Sequence, residues 1–283
     1  MTKGRGTLQV VATPIGNLAD LSPRARAALA EADVIAAEDT RRTLALLQSL
    51  GISRPLLSLY AHNETQRVPE LLARLADGAR VALVSDAGTP LLSDPGYELV
   101  RRAAAAGHQV QPLPGPSALT AALAVAGLPV QRFCFEGFLP TRAAERRARL
   151  AALATEDRTL VLFEAPHRIV ALLEELAAQF GTERPAVVAR ELTKLHETIY
   201  RGTLAELLQR AGAEENFARG ELTVLVGGAH PPAATDVDPA TLRRTVTLLA
   251  RELPPARAAA LAAQLTGATR SAAYALLRGD ERK

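Results

Sequence analysis

Four apolar runs each end in a polar loop rich in Gly, Pro, Ser and Asp: VVATPIGNLADLS (10–22), VALVSDAGTPLLSDPG (81–96), QPLPGPSALTAA (111–122) and LVLFEAPHR (160–168). Such a run reads as a buried strand, and such a loop as a place where backbone comes close to a ligand. In open α/β sheets, ligands sit beyond the carboxyl ends of the strands. The four loops together describe a small-molecule site built from several strand ends. One side chain adds a chemical possibility. Lys194 is the one interior lysine in a chain that otherwise uses Arg, with Lys3 and Lys283 at the ends. A desolvated lysine can lose its proton, whereas an arginine effectively cannot. A chance survivor of a GC-rich coding bias is the plain alternative.

The familiar ligand motifs are missing. A dinucleotide fold wants G-x-G-x-x-G at its first turn, and TPIGNLAD offers Gly16 alone. No Lys lies between residues 4 and 193, so no P-loop is present. His62, His108, His167, His196 and His230 show no metal-ligand spacing, and no metal is expected. Cys134 is the single cysteine, which excludes an internal disulfide and fits a reducing, cytoplasmic setting. No apolar run reaches the length of a membrane span, and the basic N-terminus meets Pro14 and Gly16 too soon to read as a signal peptide.

The elements that position these loops alternate between strand-like and helical runs. The first half reads as strands at 8–13, 33–39, 55–62, 80–86 and 109–114, with helices between them. Ser22 fits an N-cap with Pro23 at the first helical position. Asn63 and Gln66 fit a cap with its reciprocal partner. Strands separated by helices imply a mainly parallel sheet. Helix 117–126 leads through Gly127-Leu128-Pro129 into a second series with strands at 133–138, 158–165, 185–193 and 220–228. Its spacing leaves more scope for antiparallel pairing. The segment 229–240 is a linker by composition, and three short helices follow, at about 240–252, 255–265 and 269–278. The chain of 283 residues is thus read as an α/β domain over 1–117, a second α/β domain over 118–229 and a helical extension over 240–283.

Net charge is only +3, but residues 240–283 carry eight Arg or Lys against three acids, and 141–149 carry four Arg against one Glu. Both are candidate phosphate-facing surfaces, with solvated helix faces or a small capping bundle as the alternatives. Aromatic residues make up 4% and Trp is absent, so stacking on several unpaired bases is limited.

In order along the chain, TPIGNLADLSPRA, AEDTRR, SDAGTPLLSDPG, PLPGPSALTAAL, EGFLP, FEAPHR and RELTKLHE resemble the branch of the tetrapyrrole methylase family that methylates small-subunit ribosomal RNA. The resemblance covers roughly residues 8–228, and the basic tail is similar to the helix-turn-helix-like extension of the same proteins. It implies a two-domain tetrapyrrole-methylase-like fold, with a mainly parallel first sheet and a mixed second one. It further implies S-adenosylmethionine (SAM) as methyl donor in the cleft, 2′-O-methylation of a cytidine in 16S rRNA within the 30S subunit, and a homodimer. A small-molecule methyltransferase of the same fold and a non-catalytic RNA-binding protein are the rivals.

Under that resemblance the loops acquire roles. The expected donor-binding residues are Pro14, Gly16, Asp86, Ala87, Gly88, Thr89, Pro90, Gly115, Ser117, Ala118, Phe163 and Glu164. Gly88 permits close backbone approach, and Gly115, Ser117 and Ala118 form a small-residue turn that leaves helix N–H groups for a carboxylate. An ordinary tight turn would use the same glycines. The expected catalytic residues are Lys194, Glu197 and Glu164, because the 2′-hydroxyl needs a base or a cation beside it. Glu197 and His196 would orient Lys194, take the proton or form a surface salt bridge, and Glu164 could equally be a hydrogen-bonded residue at the core edge. The expected RNA contacts are Arg41, Arg42, Arg142, Arg146, Arg147, His167, Arg168 and Arg270. Arg41 and Arg42 could equally pair with Glu38 and Asp39, His167 could cap a helix, and Asp86 could brace its own loop.

Overall fold

A computed structural model describes residues 6–229 and 238–280. The expected linker falls mostly outside these residues, as do the basic chain ends. The chain divides after Gly228 into two compact units.

The first unit opens with a doubly wound sheet. Its elements are β1 (Thr7–Val11), α1 (Pro23–Glu31), β2 (Val34–Ala37), α2 (Thr40–Ser49), β3 (Leu56–Ser58), α3 (Glu64–Ala76), β4 (Arg80–Val84), α4 (Tyr97–Ala105) and β5 (Gln109–Leu113). The strands are all parallel in the order β3-β2-β4-β1-β5. β2 and most of β4 are buried on both faces, as a central parallel strand must be when helices cover both sides. Leu8, Ala36, Val81 and Leu83 pack on one face with residues of α3 and α4, and Val11, Ile35, Ala82 and Val84 pack on the other with α1 and α2. The crossovers that follow the adjacent strands β1 and β4 run in opposite directions, to β2 and to β5. A crevice opens where neighbouring strands part in this way.

α5 (Ala118–Ala126) leaves β5 and lies on the second sheet. That sheet contains β6 (Phe133–Phe138), β7 (Thr159–Glu164), β8 (Pro185–Arg190), β9 (Thr198–Thr203) and β10 (Leu222–Val226), with α6 (Ala143–Leu153), α7 (Ile169–Phe180) and α8 (Leu204–Ala213) between them. Its order is β6-β7-β10-β8-β9. β6 and β7 are parallel, with a bulge between Phe135 and Gly137, and the remaining pairs are antiparallel. Ile15, from the loop after β1, packs with Leu119 and Leu123 of α5 against Val161, Val187 and Leu225 of this sheet. The first sheet thereby reaches into the core of the second.

Ser22 caps α1 as expected, accepting from the Ala25 N–H at 3.1 Å. Two expectations need correction, and one element is new. Asn63 stands at the N-cap position of α3, but its side chain makes no capping bond: its Oδ1 accepts from the Tyr60 N–H at 2.8 Å and its Nδ2 donates to the Ser58 carbonyl, so it braces a turn that ends β3 early. The strand expected over 185–193 stops at Arg190, because Glu191 and Thr193 adopt left-handed backbone (φ 52° and 64°). β9 has no counterpart in the sequence reading; its half-polar TIYRGT forms an edge strand beside β8. Among the described residues, no helix is long and apolar enough to cross a membrane.

The second unit is built from α9 (Pro239–Leu249), α10 (Pro255–Thr266) and α11 (Arg270–Asp280). Leu242, Val246, Ala259, Ala262 and Ala273 form its core. Asp238 caps α9, and Gly267 in left-handed conformation ends α10. Arg243, Arg244, Arg251, Arg257 and Arg270 are all exposed on its surface.

Candidate active site

The loops after β1 and β4 are stitched together. Thr13 and Gly88 exchange both backbone hydrogen bonds at 2.9 Å, and the Thr13 hydroxyl donates to the Ser85 carbonyl at 3.3 Å. Gly88 has φ +85°, and a Cβ there would meet Ile15 Cγ2 at 3.3 Å. The Thr89 hydroxyl donates to the Pro116 carbonyl at 3.1 Å and ties in the turn before α5. Leu91 and Ser93 carry left-handed backbone (φ 74° and 71°). Strained residues of this kind persist only where the surroundings over-determine them, and they concentrate at functional sites.

Between this loop and the end of β7 lies a cavity of about 380 Å³. Of the residues expected to hold the donor, Asp86, Ala87, Gly88 and Thr89 line one wall, Ser117 and Ala118 the floor of α5, and Phe163 and Glu164 the opposite side. Gly115 lines an adjoining recess with Ile15 and Thr193. Pro14, Gly16 and Pro90 do not line the cavity. Pro90 is buried, Ile15 takes the place expected of its neighbours, and Gly16 serves the protein's own packing. A Cβ on Gly16 would fall 2.2 Å from Lys194 Cγ, so the lysine stem occupies that space.

The cavity is acidic. Glu38, Asp86, Asp94, Glu164 and Glu221 line it, and among the described residues no Lys or Arg does. Asp86 accepts from the Asp39 N–H at 2.9 Å and pairs with Arg42 at 3.3 Å. Burial, reinforced by Asp86 and Asp39, raises the Glu38 carboxyl above its ordinary value. Burial also lifts Asp94 to about 6, with the charges of Glu38 and Asp86 adding to it. Asp94 and Phe138 were missing from the sequence reading. Phe138 packs edge-on to Phe163 with ring centres 5.7 Å apart, beside a bulge that no sequence signal announces.

Glu164 is the most enclosed of the five, with its side chain 1% exposed. Oε1 accepts from the Ala165 N–H at 2.8 Å and lies 3.1 Å from Arg168 Nε, whereas Oε2 is buried without a partner. Burial raises its pKa against the opposing pull of the Ala165 N–H and Arg168.

The other two expected catalytic residues fall elsewhere. Lys194 Nζ pairs with Glu191 at 2.9 Å and with Glu221 at 3.3 Å. Burial alone would lower its pKa, but these two carboxylates outweigh it and hold the ammonium protonated above the ordinary lysine value. Lys194 is thereby committed to two carboxylates and does not itself line the cavity. Glu197 accepts from the Thr193 N–H at 2.6 Å, and with His196 it faces a separate groove. It clasps the strained loop after β8.

The arginines separate into two groups. Arg41, Arg42, Arg142 and Arg147 are exposed; Arg41 also pairs with Asp39, whose carboxyl its guanidinium holds down to about 2. His167 is exposed at the turn before α7. Arg146 is buried and makes a two-pronged pair with Glu175 at 2.6 and 2.9 Å, so it does not face phosphate. Arg168 donates to the Leu139 and Pro140 carbonyls and pairs with Glu164, so it too is committed inward. Arg270 is exposed in the helical unit.

Comparison with known proteins agrees with this architecture. Residues 7–208 match the model for Tetrapyrrole (Corrin/Porphyrin) Methylases, and residues 236–278 match the RsmI C-terminal HTH domain. "Ribosomal RNA small subunit methyltransferase I" of Xylella fastidiosa strain Temecula1 is 55% identical over 95% of this chain and 98% of its own length. The protein of the same name from Escherichia coli O157:H7 is 50% identical over 95% and 94%. The crystal structure of the methyltransferase CobJ superposes with a TM-score of 0.58 at 26% identity, covering 79% of this chain and 95% of that one. The chain therefore belongs to the tetrapyrrole methylases, a family of SAM-dependent methyltransferases, and within it to the ribosomal RNA small subunit methyltransferase I group.

Proposed function

We propose that this chain transfers a methyl group from SAM to the ribose 2′-oxygen of a cytidine in 16S rRNA, acting as a homodimer on the 30S subunit. The observation that carries this reading is the sorting of charge: carboxylates line the cavity, and exposed arginines lie outside it. A cationic donor suits the interior, and a polyanion suits the exterior. The relatives named for ribosomal RNA align over 95% of the chain, a coverage that takes in the helical unit, whereas the CobJ structure covers 79%. That difference favours RNA over a small tetrapyrrole as acceptor.

The residues present fit the donor. When bound, it supplies a methyl group on a positively charged sulfur that is already a good leaving group. Glu38, Asp86 and Asp94 provide a negative field for its cationic centres. The first turn of α5 has no side-chain cap, which leaves its amide groups to a carboxylate. Phe138 and Phe163 offer apolar ring surface for a base. Together these walls orient the reactants and exclude water.

Mapping ribose methylation of 16S rRNA, site by site, in cells with and without this protein tests the reading. One cytidine should lose its 2′-O-methyl group in the deletion and regain it when purified protein, SAM and 30S subunits are combined. An unchanged methylation map would overturn the assignment.

A further inference from the structure

We propose that Glu164 is the base that takes the proton from the acceptor 2′-hydroxyl, with Arg168 and the Ala165 N–H as its positioning groups; this rests on the function proposed above. The geometry singles it out among the cavity carboxylates. Asp86 already accepts from the Asp39 N–H and pairs with Arg42. Glu38 faces the Asp86 N–H at 3.4 Å, Asp94 takes a hydrogen bond from Ser85, and Glu221 is exposed and paired with Lys194. Of these carboxylates Glu164 alone presents a fully enclosed oxygen, Oε2, with no partner among the described residues. A buried acceptor left open is costly unless a ligand donor fills it.

The other oxygen is fixed from behind, which is the arrangement a base needs: one atom oriented, one atom free. Glu164 sits at the carboxyl end of β7, on a strand and not on a mobile tip. Arg168 and His167 face it from the turn before α7, and Arg146 acts on it from α6. Across the cavity stand Glu38, Asp86 and Asp94, with Glu221 at the start of β10. Burial favours its proton uptake, and the Ala165 N–H, Arg168, Arg146 and His167 oppose that rise.

The step balances without further reagents. The 2′-O–H bond breaks and its proton goes to Oε2, the oxygen's electron pair forms the new O–C bond to the methyl carbon, and the C–S pair leaves with sulfur as a neutral thioether.

The test measures single-turnover methylation of 30S subunits by wild type and Glu164→Gln across pH, with SAM binding followed by calorimetry. Gln keeps the volume and an acceptor for the Ala165 N–H. The rate should fall roughly 10²–10⁴-fold with SAM affinity within a few-fold of wild type. The wild-type rate should also rise with pH through an apparent value above the ordinary carboxyl pKa of 4.5, a limb that Glu164→Gln lacks. Glu164→Asp should retain that limb at reduced rate, which keeps the test decisive if the Gln variant does not fold. A Gln variant with near-normal rate, or one that loses SAM affinity in place of rate, overturns the assignment. A wild type that methylates no ribose takes down the proposed function itself, and the base assignment with it.

Discussion

The interior of the cleft and the outer surface use charge in opposite ways. Inside, five carboxylates face one cavity, and among the described residues no cationic side chain lines it. Outside, Arg41, Arg42, Arg142 and Arg147 stand in solvent, and the helical unit adds Arg243, Arg244 and Arg257. The contrast is instructive because the sequence alone does not reveal it. TRAAERRAR reads as one basic patch, yet Arg146 turns inward to Glu175 while Arg147, one residue on, remains exposed. Position on the helix decides whether a guanidinium is structural or available to phosphate.

Neighbouring arginines give the sharpest test of that contrast. Arg146→Met leaves Glu175 partly buried and unpaired, and should cost about 2–4 kcal/mol in urea denaturation, between exposed and fully buried pairs. Arg147→Met should leave stability within about 0.5 kcal/mol and instead weaken 30S binding, with a shallower salt dependence. If both variants behave alike, the division of the arginines is wrong.

A smaller effect is expected from Asp94. Its folded pKa of about 6 lies above the ordinary aspartate value of 3.8. Folding therefore takes up a proton between these values, so this group favours the fold in acid and its contribution is lost as pH rises through about 6. SAM affinity should run the other way, because a neutral Asp94 no longer attracts a cation. Affinity should drop a few-fold as pH falls below about 6, and Asp94→Asn should flatten both trends. Calorimetry and thermal denaturation across pH 4.5–8 measure the two.

The smallest effect is assigned to the residue the sequence made most conspicuous. Lys194→Arg keeps the charge between Glu191 and Glu221, so 30S methylation should stay within a few-fold of wild type. A hundredfold loss would restore a titrating lysine.

The loops were legible because tight turns and close approach demand Gly and Pro, and those demands are local. SDAGTPLLSDPG and GPSA meet at the cavity as their composition implied. The roles of Lys194, Arg146 and Arg168 were not legible, since each depends on a partner set by tertiary structure. Arg146 finds Glu175 across two helices, and Lys194 finds Glu221 from another strand end. β9 is not legible because an edge strand with one buried residue shows no clear alternation. Glu164 was visible as a polar strand end, but its unmatched oxygen is a property of packing alone.

Ile15 has one last consequence. It arises from the first sheet, yet it is held among side chains of α5 and the second sheet. Swinging the two layers apart would expose that apolar cluster, a cost that opposes hinged opening of the crevice. Both layers should melt as one cooperative block, and the reactants must come in through a standing mouth.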